Sequence, residues 1–156
     1  RQVRILSESQ FVATKLNLTR TQALEYANLA RALERMMDHA FSIATLILEH
    51  PKITKNMIEM TPLEQLPRWQ SSLKELMINI RTRDSHRIEQ ARQDLKQSQQ
   101  RLLEHEKNVL QNHRSNEWMA FDLRLSESVR RLCAYARDFG EILLNMKVFS
   151  EIHRKM

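Results

Sequence analysis

Two carboxylates four residues apart, Glu34 and Asp38, are the residues whose types and spacing could most readily do chemistry. On a helix they share one face, with their Cβ atoms about 5–6 Å apart. Like charges that close repel unless a cation sits beside them. Carboxylate oxygens suit hard or borderline cations, so Mg²⁺, Fe or Zn²⁺ are the candidates. The alternative is a solvated helix face, because Arg31 precedes Glu34 by three residues and Arg35 precedes Asp38 by three. The histidines His39, His50, His86, His105, His113 and His153 include no pair at i+3 or i+4, and no Glu stands three residues before a His. His39 lies about 100° round the helix from Asp38 and reads as a surface or interface residue. Cys133 falls on an apolar stripe and reads as a small core residue. No nucleophile with a base, and no acid/base pair, can be assembled from these spacings, so no enzymatic activity is expected.

Basic residues cluster at Arg81, Arg83, Arg87, Arg92, Lys96 and Arg101, and again at Arg124, Arg130, Arg131 and Arg137. Neither cluster has the interleaved aromatics of a single-strand binder. They read as solvated helix faces or as a docking face for an acidic protein, DNA backbone or anionic headgroups. Trp69 and Trp118 fall on apolar stripes and read as core anchors.

These residues need helices to position them, and the composition supplies little else. The 156 residues contain one glycine, Gly140, and three prolines, Pro51, Pro62 and Pro67. A P-loop or dinucleotide fingerprint needs more glycines, and folds rich in tight turns need more turn residues. The fold class is therefore all-α. With Lys+Arg 25 against Asp+Glu 19 the net charge is +6, which allows anionic partners without choosing among them. One cysteine permits no internal disulfide and suits a reducing cytoplasm. No apolar run approaches the ~20 residues of a spanning helix.

A short apolar series at Val3, Ile5, Leu6, Phe11, Val12 and Leu16 predicts a helical piece that ends at Asn17-Leu18-Thr19. Thr19 is placed to cap the next helix, 21–50, whose stripe is Leu29, Leu33, Met36, Met37, Ala40, Ile43, Ala44 and Ile47. Pro51 stops it. Thr61-Pro62-Leu63-Glu64 looks like a helix start, with Pro67 delaying the regular helix to about Leu66. Its stripe is Leu66, Trp69, Leu73, Leu76 and Ile80, broken at 81–85, where Asp84 or Ser85 can cap. Ile88, Ala91, Leu95, Ser98, Leu102, His105 and Val109 follow in heptad-like register. After a break at 112–116, a final stripe runs Trp118, Phe121, Leu125, Val129, Leu132, Ala136, Phe139, Leu143 and Met146. The expectation is an antiparallel bundle of four long helices plus a short N-terminal piece.

Shifting the chain by 96 positions lays Val129 on Leu33. Leu29/Leu125, Arg35/Arg131, Ala40/Ala136 and Leu48/Leu144 then coincide, with a shared small position at Ala44/Gly140 before the triplets Leu46-Ile47-Leu48 and Ile142-Leu143-Leu144. The stretch Leu29-Ala-Arg-Ala-Leu-Glu-Arg-Met-Met-Asp-His-Ala40 resembles the helix of PhoU-type phosphate-uptake regulators that carries Glu-Arg-x-x-Asp-His-Ala. The lead-in from Leu18 is similar to archaeal members in which an AbrB-like DNA-binding module precedes the PhoU-like part.

The resemblance implies two similar three-helix halves, with residues 1–60 the remainder of the first half and 61–156 the second. On that pattern the N-terminal helices and any AbrB-like module are missing from this fragment. It also implies Glu34 and Asp38 as metal ligands for Fe, Zn or Mg. The second half offers Arg130 and Ala134 at the matching positions, and Lys96 and Gln100 where the family has another acidic pair. The implied function is non-enzymatic regulation of phosphate uptake or phosphate signalling in the cytoplasm, through a phosphate transporter or membrane sensor protein. DNA contact would come only through the missing module, and no small-molecule substrate is implied. The alternative is a metal-free helical oligomerisation scaffold of a transcriptional regulator. Loss of bundle helices would expose an apolar stripe, so a homodimer is expected.

Overall fold

Thr19 opens the first extended element by a reciprocal cap. Its backbone is extended (φ −67°, ψ 159°), its hydroxyl accepts from Gln22 N at 3.2 Å, and Gln22 Oε1 accepts from Thr19 N at 2.9 Å. Two of the otherwise unpaired N–H groups at a helix start are thereby satisfied. The computed structural model describes residues 10–54, 61–111 and 116–154. Within them α1 is Gln10–Lys15, α2 is Arg20–Glu49 and α3 is the turn Pro51–Thr54. A second turn, α4, is Thr61–Glu64, followed by α5 at Leu66–Thr82, α6 at Ser85–Gln111 and α7 at Asn116–Arg154. The described residues are helical or in short links, with no strand among them, and the protein is all-α. Val3, Ile5 and Leu6, and most of the expected break at 112–116, lie outside the described residues.

The links follow local chemistry. Asn17 turns into the left-handed region (φ 52°) after α1. α2 ends at Glu49 with His50 as its C-cap, the residue before Pro51 leaving helical geometry as the proline requires. Pro67 sits in the first turn of α5, where its missing N–H has no intrahelical partner to lose. The α5–α6 corner is organised by Asn79, which is fully buried. Its amide donates to Glu75 O at 2.9 Å, and its Oδ1 accepts from Thr82 Oγ1 at 2.8 Å and Asp84 N at 3.0 Å. Arg83 takes the left-handed conformation (φ 53°) that closes α5. Asp84, rather than Ser85, then caps α6, its Oδ1 accepting from His86 N and Arg87 N.

α7 is the spine. It packs along α2 on one side and along α6 and α5 on the other, while α5 packs on α6. Every predicted stripe residue of α7 from Phe121 to Met146 is buried. So is the α6 series, except that His105 is half-buried. Leu76, Ile88, Leu95, Leu102, Leu125, Val129, Leu132, Phe139 and Leu143 are at most 1% exposed. Burying such side chains contributes about 1.5–3 kcal/mol each before entropy is counted. The seams around Leu33 and Val129 belong to one apolar cluster, Leu33 at its margin and Val129 at its centre.

α2 departs from the predicted stripe. Its core face is Leu29, Ala32, Met36, Ile43 and Leu46, with Leu33, Ala40 and Ile47 half-buried beside it. Met37 and Ala44 are exposed. The apolar residues of α2 span a wide arc, and a single long neighbour covers only part of it. The shared small position of the repeat also has unlike surroundings. Ala44 faces solvent, whereas Gly140 is buried, and a Cβ on it would stand 2.7 Å from Arg92 Cγ and 3.2 Å from Leu76 Cδ2.

Candidate functional site

Glu34 and Asp38 both project from the exposed side of α2, and neither is in an ion pair among the described residues. The arginines expected to pair with them turn elsewhere. Arg31 Nη1 donates to Asn28 Oδ1 at 3.3 Å, and the Arg35 guanidinium carbon lies 5.5 Å from the centroid of Tyr135 on α7. His39 stacks on the same ring, centroid to centroid 5.6 Å at 28°. Tyr135 is thus contacted by two side chains of α2 near Asp38. Burial holds the His39 imidazole below the usual histidine range, and the Arg131 guanidinium lowers it further against weaker opposition from Glu127 and Asp38. The described residues contain no group of three or more His, Cys, Asp or Glu side chains placed to hold a metal. A cation at Glu34 and Asp38 would therefore need further ligands beyond those described.

A second polar assembly lies at the other end of the α5–α7 bundle. His105 Nε2 meets Asp122 Oδ1 at 2.8 Å across the α6–α7 interface. Asp122 is 1% exposed, and its Oδ2 has no partner among the described residues. One turn along α7, Ser126 Oγ donates to Glu106 Oε1 at 3.0 Å, and Arg130 Nε reaches the same oxygen at 3.1 Å. His105 also lines a cleft of about 300 Å³ with Gln65, Arg68, Arg101 and Glu104. Gln65 is buried there, with Oε1 unpaired among the described residues.

A carboxylate behind an imidazole can fix its tautomer and support proton transfer. The nearest hydroxyl in this network, Ser126, is committed to Glu106 instead. What the assembly does on its own geometry is lock the register of α6 on α7, since buried Asp122 and Ser126 meet half-buried His105 and Glu106 in only one alignment.

The sequence pattern placed His105 on the α6 stripe but did not single out Asp122. The available signal was a carboxylate beside Phe121 and three residues before Leu125, on the buried side of an otherwise apolar run. Cys133 is fully buried, and burial pushes its thiol up to about 12, so it is not a thiolate at neutral pH.

The basic clusters are engaged in part. Arg92 bridges Glu89 (2.7 Å) and Glu141 (3.4 Å), Arg87 lies 3.6 Å from Glu75, Arg131 lies 3.6 Å from Glu127, and Arg137 donates to Gln99 at 2.7 Å. Such pairing weakens the summed positive field outside the helices. Scans against protein-family models, curated proteins and solved structures find no match to this chain. Among the described residues no helix is long and apolar enough to cross a membrane.

Proposed function

We propose that this chain is a non-enzymatic regulatory module, similar to the PhoU-type regulators of phosphate uptake, that acts by presenting helix surfaces to a transporter or sensor protein. One observation supports the reading best. α2, which carries the Glu-Arg-x-x-Asp-His-Ala pattern, lays Leu29, Met36 and Ile43 into the same apolar cluster as Leu125, Val129 and Leu132 of α7. Pairing of two such helices at the centre of a longer bundle is the arrangement the resemblance implies. On this reading α5, α6 and α7 form one three-helix half, and α2 belongs to the other.

The metal-free alternative, an oligomerisation scaffold for a transcriptional regulator, draws support from the exposed and unpaired positions of Glu34 and Asp38. Phosphate uptake in cells that lack the gene and are then complemented separates the two. Restored repression of uptake by wild type but not by Glu34→Ala/Asp38→Ala supports the metal-dependent form. Equal restoration by both supports a metal-free regulator. Uptake that responds to phosphate normally without the gene refutes the phosphate reading.

A further inference from the structure

α2 carries a second apolar face that nothing described covers. Met37, Phe41 and Leu48 are 68%, 74% and 79% exposed, and Ala44 lies between the last two. The spacing 37, 41, 44, 48 is the four-three-four step of a helix-packing seam, so these side chains form one line along the helix. The line joins the core without a polar break, because Leu33, Ala40 and Ile47 beside it are half-buried against that core. Scattered exposed apolar residues are ordinary, but a contiguous seam of large ones marks an interaction surface.

We infer that this seam binds the same seam of a second copy of the chain, with the two α2 helices antiparallel about a twofold axis. The four-three-four spacing reads the same in both directions. Antiparallel alignment therefore sets Met37 against the partner's Leu48 and Phe41 against the partner's Ala44. A large ring meets a small side chain at both central levels, which lets the helices interdigitate.

The charges select the same direction. Glu34 flanks the Met37 end of the seam, and Lys52 follows the Leu48 end in the exposed turn α3. Neither is in an ion pair among the described residues. Antiparallel alignment brings Glu34 to the level of the partner's Lys52, twice per dimer. Parallel alignment instead sets Phe41 against the partner's Phe41, and Glu34, which continues the seam line, against its own copy, where like charges repel. The surface does not depend on the phosphate reading and is tested without it.

Sedimentation equilibrium on the 156-residue chain reads the association directly. A monomer–dimer equilibrium is expected, and Phe41→Glu raises its Kd about 100-fold. Because Phe41 is exposed, the variant keeps the wild-type circular dichroism spectrum and melting midpoint of the monomer. Glu34→Lys weakens the dimer, and adding Lys52→Glu restores it. Under mild oxidation Met37→Cys/Leu48→Cys gives an inter-chain disulfide. Met37→Cys alone does not, because its copy lies about 16 Å away along the axis at ~1.5 Å per residue. A chain that stays monomeric at about 100 μM, a range that detects even weak pairing, overturns the inference. So does a dimer indifferent to Phe41→Glu, which would mean another face binds. Cross-linking by Met37→Cys alone overturns the antiparallel alignment.

Discussion

Replacing Gly140 by alanine sets two well-known effects against each other. Gly140 sits in the interior of α7, where alanine is favoured over glycine by about 1 kcal/mol on helix propensity. A Cβ there would stand 2.7 Å from Arg92 Cγ, 3.0 Å from Arg92 Cδ and 3.2 Å from Leu76 Cδ2. Leu76 is fully buried and has little room to give. Arg92 is pressed at its stem rather than its tip, so relief must shift the whole side chain and disturb its pairs with Glu89 and Glu141. Overpacking of this kind costs about 1–3 kcal/mol, against which partly exposed ion pairs add only ~0–1 kcal/mol.

The crowding term wins, and Gly140→Ala is expected to destabilise the protein by about 1 kcal/mol net. That corresponds to roughly 2–4 °C in the melting midpoint for a chain of this size. Urea denaturation of a double-mutant cycle with Arg92→Ala isolates the cause. Without the Arg92 stem, Gly140→Ala should become neutral or stabilising, giving a coupling of about 1–2 kcal/mol. If Gly140→Ala stabilised both backgrounds by the same amount, the contact with Arg92 would not be the reason for the glycine.

The pH dependence of stability should carry a contribution from His39. Its folded pKa lies below the ordinary 6.5, chiefly through burial and then through Arg131, so its neutral form is favoured in the fold. That contribution is complete above about pH 6.5 and is lost as pH falls through 6.5 toward the folded value. Denaturation midpoints of wild type should therefore drop more between pH 7.5 and 5.5 than those of His39→Asn; parallel curves would refute the assignment. At the other end of the bundle, Asp122→Ala removes the buried partner of His105 and should cost about 1–3 kcal/mol in urea denaturation. A cost no larger than that of an exposed site such as Asp94→Ala would show that the pair does not hold α6 to α7.

Much of the element order was legible because it depends on neighbours in sequence. Thr19, Pro51, Pro67 and Asp84 act within a turn of their own position, and each performs its expected local role. The stripe of α6 was legible because it is one narrow apolar line, and that of α7 because neighbours cover it on both sides, so its stripe residues from Phe121 to Met146 are buried whichever side they face. That of α2 was legible only in part: Leu29, Leu33, Met36, Ala40, Ile43 and Ile47 meet the core, but Met37 and Ala44 fall on an outer apolar line with Phe41 and Leu48, and periodicity cannot tell which part of a wide arc a neighbour covers. The arginine partners expected for Glu34 and Asp38 were missed for a similar reason. Arg35 is drawn to Tyr135, a residue 100 positions away, and spacing within one helix carries no record of it. Asp122 shows the same limit, since its partner His105 lies across the α6–α7 connection.

The two sides of α7 are built from different materials. Toward α5 and α6 the apolar core is supplemented by directional cross-links: His105 to Asp122, Arg130 and Ser126 to Glu106, and Lys147 Nζ to Ser85 Oγ at 2.7 Å. Such bonds are satisfied in one alignment and lost in a slipped one, so they fix register as well as association. Toward α2 the contact is made by Leu29, Met36 and Ile43, and by the stack of His39 and Arg35 on Tyr135. Apolar packing is less directional, and it leaves half the apolar arc of α2 facing outward. On the proposed regulatory reading, the face of α2 that α7 leaves open is the surface a partner would engage.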